Sequence, residues 1–112
     1  MPVSYTHLDV YKRQIQYAHQ AVLAYRAHPP STELVEALYT EGLLRNQRSD
    51  FAEAERLLSD GATLSKRLDG DPNPSLPRIY ATLGESQQAS LEYSAAEQSL
   101  RLSLIHIFST IV

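Results

Sequence analysis

Four histidines, thirteen Asp or Glu and ten Lys or Arg supply the acids, bases and ligands of this 112-residue chain, and it has no cysteine. A thiolate nucleophile, a disulfide framework and a thiolate metal site are therefore all excluded. His19 and His28 stand nine residues apart. Two imidazoles share a helix face as metal ligands when one turn separates them, so this spacing holds no ion. They read as a surface histidine and a turn histidine. Gly42, Gly61, Gly70 and Gly84 stand singly, which leaves no glycine-rich loop to cradle a phosphate. Glu53, Glu55 and Arg56 read as a solvated helix face, and no nucleophile, base and orienting group fall together. The residues predict no enzyme, no cofactor and no metal. The remaining polar chemistry is that of binding.

Composition narrows the partner. The chain is 43% hydrophobic and 21% charged, ordinary for a soluble domain, with a net charge of −3. Without a basic cluster it has nothing to hold a nucleic-acid backbone. No apolar run approaches the length of a membrane span, and no signal peptide is visible. A cytoplasmic location is expected.

The two ends carry a different kind of pattern. Asp9 to Gln14 (DVYKRQ) back-translates to GAT GTG TAT AAG AGA CAG, whose reverse complement, CTG TCT CTT ATA CAC ATC, encodes LSLIHI, the sequence at Leu102 to Ile107. The same reverse strand in a shifted frame encodes VSYTHL, the sequence at Val3 to Leu8. Protein chemistry gives two peptides no reason to be reverse-complement translations of each other. The DNA resembles the transposon end used to tag fragments in sequencing libraries. Residues 1–14 and 102–112 are accordingly expected to be translated adapter and trailing sequence, and His7 and His106 are set aside as site residues. Ser103 to Val112 is uncharged, apolar and rich in β-branched residues, an aggregation hazard when exposed.

Between these ends the chain repeats itself with a period of 42 residues. With Gly42 set on Gly84, Leu38 meets Tyr80, Asp50 meets Glu92 and Phe51 meets Tyr93. Ala54-Glu55 meets Ala96-Glu97, Leu58 meets Leu100, Pro30 meets Pro72 and Leu34 meets Leu76. Each unit has helical periodicity: Leu34, Val35, Leu38, Tyr39, Gly42 and Leu43 form one stripe, and Phe51, Ala54, Leu57, Leu58, Ala62 and Leu68 another. Five helices are expected: 15–27, 32–46, 51–68, 75–88 and 92–101. Asp50 with Glu53 reads as a capping box, Asp69 to Pro74 (DGDPNP) as a stop and turn, and Ser75 as the next cap, with Pro77 tolerated in the first turn. Gly61 inside a helix costs roughly 1 kcal/mol against alanine, which a close helix approach would explain.

These residues resemble the tetratricopeptide repeat. The family pattern of a large residue, Gly or Ala, an aromatic, Ala and a large apolar residue is met by Leu38, Gly42, Phe51, Ala54 and Leu58, and again by Tyr80, Gly84, Tyr93, Ala96 and Leu100. The 42-residue period is similar to the longer, kinesin-light-chain-like variety. There are departures: Arg45 and Gln87 stand where the family often has an aromatic, Gly61 where Ala is common, and Glu41 where Leu is usual. The resemblance covers 15–101, as a half-repeat 15–28, a repeat 31–70 and a truncated repeat 75–101. It implies an all-α fold of antiparallel helix hairpins stacked as a short right-handed α-solenoid.

It also implies a peptide-binding groove lined by the first helix of each pair. Carried over, the groove would show Glu36, Tyr39, Leu43, Asn46 and Gln47, then Arg78, Ala81, Glu85, Gln88 and Ala89. Asn and Gln can bond a peptide backbone as both donor and acceptor, and Tyr39 can anchor it. The function implied is a protein- or peptide-binding scaffold, with neither nucleic acid nor membrane as partner. The alternative is a regulatory segment of a larger bacterial signalling protein, a kinase or transcription regulator. Two and a half repeats bury little core, so 15–101 alone is expected to be marginal in stability or to associate with itself.

Overall fold

The computed structural model describes residues 7–70 and 73–111, so residues 1–6, Val112, and Asp71 and Pro72 of the expected turn lie outside the described residues. The fold is all-α. Among the described residues four helices follow in order: α1 (His7–Arg26), α2 (Thr32–Gln47), α3 (Phe51–Asp69) and α4 (Ser75–Ile111). The radius of gyration is 18.6 Å. A compact ball of this length would have about 13 Å. The extents of 62 × 46 × 21 Å instead describe an elongated plate, about two helix diameters thick.

Apolar stripes decide the packing. Leu34, Val35, Leu38, Ala54, Leu57, Leu58, Ala62 and Leu64 bury α2 against α3, and Leu76 and Ile79 bring α4 onto them. Val22 joins this core from α1. α2 and α3 run antiparallel. Gly42 is the most tightly surrounded of the glycines: a Cβ there would fall 2.7 Å from Leu58 Cγ. Gly61, expected to mark a close approach, has more room: its Cβ would sit 3.5 Å from Leu38 Cβ, an ordinary contact.

The helix starts use different caps from those expected. Ser31 Oγ accepts the Leu34 amide at the start of α2. Asp50 makes no side-chain cap on α3; its carboxylate instead accepts from Arg45 Nη1 at 2.9 Å. Glu53, the other half of the expected capping box, pairs with Arg56. Asn73, not Ser75, caps α4: its Oδ1 accepts the amides of Ser75 (3.0 Å) and Leu76 (3.2 Å). Its Nδ2 donates to Gly70 O at 2.6 Å, so one amide ties the end of α3 to the start of α4.

Four helices stand where five were expected, because α4 runs unbroken through residues 88–92. Gln88 to Leu91 (QASL) contains no Gly or Pro, and Gln88 Nε2 donates to Glu92 Oε1 at 3.2 Å across the expected break. The corresponding α2–α3 turn does break, with Ser49 at φ 63° and Asp50 N bonded back to Arg45 O. α1 begins at His7, ahead of the expected Ile15.

Two departures from the repeat pattern explain each other. Glu41 is fully buried, and its carboxylate accepts from Arg45 Nε at 2.7 Å and from His19 Nδ1 at 3.0 Å. Arg45 stands one turn on from Glu41, at the other unusual position, and also reaches Asp50. His19 is thus not the plain surface histidine expected; it clips α1 to α2 through the buried carboxylate. Burial pulls the Arg45 pKa down, but the bonds and charges of Glu41 and Asp50 outweigh it and hold it above the ordinary value.

Candidate binding surface

Helical spacing puts Glu36, Tyr39, Leu43, Asn46 and Gln47 on one face of α2, and Arg78, Ala81, Glu85 and Gln88 on the matching face of α4. The structure brings the upper ends of the two rows together. Arg78 Nη2 forms an ion pair with Glu36 Oε1, and its guanidinium lies 4.5 Å from the centre of the Tyr39 ring. Tyr39 is half-buried and rests against the core. It therefore presents one ring face to Arg78 and takes its rigidity from the packing beneath.

The lower ends are more open. Leu43 and Asn46 are half-buried, while Gln47, Ala81, Glu85 and Gln88 are exposed. Asn46 Oδ1 is screened from solvent and accepts no hydrogen bond, so that amide would have to turn outward to serve a peptide. Gln88 is engaged with Glu92. Ala89 is half-buried. The surface is thus an acid–base–aromatic cluster at one end and a run of amide, carboxylate and small side chains below it.

Next to this face lies a feature that the sequence reading missed. A cleft of about 400 Å³ opens between α1 and α2, lined by Ala18, Ala21, Tyr25, Thr32, Glu33, Glu36, Ala37 and Thr40. Glu36 alone belongs to both surfaces. The small residues at 18, 21 and 37 are the signal that could have found it, since they leave room between two helices. Among the described residues, no group of three or more His, Asp or Glu is placed to hold a metal ion. No helix among them is long and apolar enough to cross a membrane. His28 is exposed at the turn after α1.

No protein-family model, curated protein or solved structure matches this chain.

Proposed function

We propose that this chain is a tetratricopeptide-like segment of an α-solenoid, and that its α2/α4 face binds an extended protein segment or peptide. One observation carries this reading. Two pairs of residues 42 apart lie side by side: Glu36 is paired with Arg78, and the rings of Phe51 and Tyr93 meet edge-on with centroids 6.4 Å apart. Stacked repeats place equivalent residues next to each other, and their first helices then form one continuous surface. The rows on α2 and α4 offer a fixed aromatic ring, an arginine and several amides, the side chains suited to peptide backbone and mixed side chains.

The test is selection of binders from a random dodecapeptide display library on the immobilised full chain. Selected peptides are expected to lose about tenfold or more in affinity for an Arg78→Ala, Glu85→Ala double variant of unchanged helicity. Failure to enrich any peptide, or equal affinity for the double variant, contradicts the proposal.

A further inference from the structure

The cleft between α1 and α2 touches the α2/α4 face only at Glu36. Short side chains make it. Ala18 and Ala21 of α1 and Ala37 of α2 line it, and none of the three extends past Cβ, which leaves about 400 Å³ between the helices. Ligand sites span about 300–1,000 Å³, so this one suits a single side chain or a small molecule. Ala18 and Ala37 are buried in the packing of the two helices. The floor is therefore apolar and fixed, a surface for a methylene stem.

The charged groups on the rim are all acidic. Glu33 and Glu36 line the cleft, and no Lys, Arg or His does. Glu36 is paired with Arg78, whereas Glu33 pairs with no cation among the described residues. Thr40 spends its hydroxyl proton on the Glu36 carbonyl at 2.8 Å, so its oxygen can only accept from a ligand. Tyr25, 38% exposed, adds an aromatic ring.

The neighbouring face shows what such parts hold. There one arginine, Arg78, pairs with the Glu36 carboxylate while its guanidinium lies 4.5 Å from the centre of the Tyr39 ring. The cleft offers a carboxylate and a phenol ring again, Glu33 and Tyr25, and the chain supplies no guanidinium to them.

We propose that the α1/α2 cleft seats an arginine side chain of a partner protein. Its stem lies over Ala18, Ala21 and Ala37, and its guanidinium meets the Glu33 carboxylate and the Tyr25 ring. Arginine suits this better than lysine, because its planar fork matches a carboxylate and stacks on an aromatic face. An exposed ion pair strengthens binding about twofold to fivefold, and the first turn of α2 offsets part of the Glu33 charge. Stacking on an exposed ring adds about twofold to fivefold more. This site is separate from the α2/α4 face and stands or falls independently of it.

The test titrates the isotope-labelled full chain with N-acetylarginine methylamide and follows the amide shifts. The neutral citrulline analogue and the anionic glutamate analogue serve as comparisons. Saturable shifts are expected at Ala18, Ala21, Tyr25, Glu33 and Ala37. Citrulline should bind about fivefold more weakly than arginine, and glutamate should cause no saturable shift. Glu33→Gln should weaken arginine about twofold to fivefold and leave citrulline unchanged, a pattern that a structural defect would not give. No saturable shift at these amides, equal affinity for arginine and citrulline, or a Glu33→Gln variant of unchanged helicity that binds arginine as the wild type does overturns the proposal.

Discussion

Glu36 of α2 and Arg78 of α4, forty-two residues apart, form an ion pair over the ring of Tyr39. Both side chains are about half exposed, so the pair is worth about 0.2–1 kcal/mol, and salt weakens it. Replacing either by Ala should cost about that much in chemical denaturation. The double variant should cost less than the sum, and the charge swap Glu36→Arg with Arg78→Glu should restore most of the loss. Additive single effects would show that the two side chains do not interact.

The buried Glu41 network predicts a larger effect. Arg45→Ala leaves a fully buried carboxylate with only His19 to satisfy it, and should destabilise the fold by about 3–5 kcal/mol. Replacing both Glu41 and Arg45 by Leu removes the charge with its partner and should be near neutral or stabilising by about 1–4 kcal/mol. Urea unfolding of both variants checks this. A double variant as unstable as Arg45→Ala would mean that the network does more than satisfy its own burial.

The glycines separate by what surrounds them. Gly42→Ala drives a methyl into Leu58 and should cost about 1–3 kcal/mol. Gly61→Ala and Gly84→Ala meet ordinary contact and open space, and should each stabilise by about 0.5–1 kcal/mol through helix propensity. Thermal unfolding of the three variants reads the signs directly.

Acid should act through Glu53. The hydrogen bond from Arg56 holds the Glu53 carboxyl below its ordinary value. A carboxyl depressed in the folded state stabilises above its ordinary pKa, and that contribution is lost as pH falls through the folded value. The pair is solvent-accessible, so its share is modest, about 0.2–1 kcal/mol. The stability advantage of the wild type over Glu53→Gln, measured by melting at a series of pH values, should be present at pH 7 and vanish below the carboxylate range.

The helical stripes of α2 and α3 were legible in the sequence because periodicity and burial follow one geometry: Leu34, Val35, Leu38, Leu57 and Leu58 all lie in the core. The α2–α3 turn was legible too, since a polar run marks it. The unbroken α4 was not, because repeat logic demands a turn near residue 90 while the local residues favour helix. The Glu41–Arg45–His19 network was hidden for a different reason. Glu41 and Arg45 each depart from the pattern alone, and only their proximity, with His19 beside them, shows that they compensate. The two rows of the expected groove came from the family resemblance, and the joining of Glu36, Tyr39 and Arg78 depends on how α4 lies across α2, which no local spacing reports.

The most direct measurement is amide chemical-shift mapping of the labelled full chain titrated with a library-selected peptide. The binding account predicts shifts concentrated at Tyr39, Leu43, Gln47, Ala81, Glu85 and Gln88. Shifts confined to α1 and the Ala18–Ala21 cleft, or to α4 beyond Leu91, would contradict it.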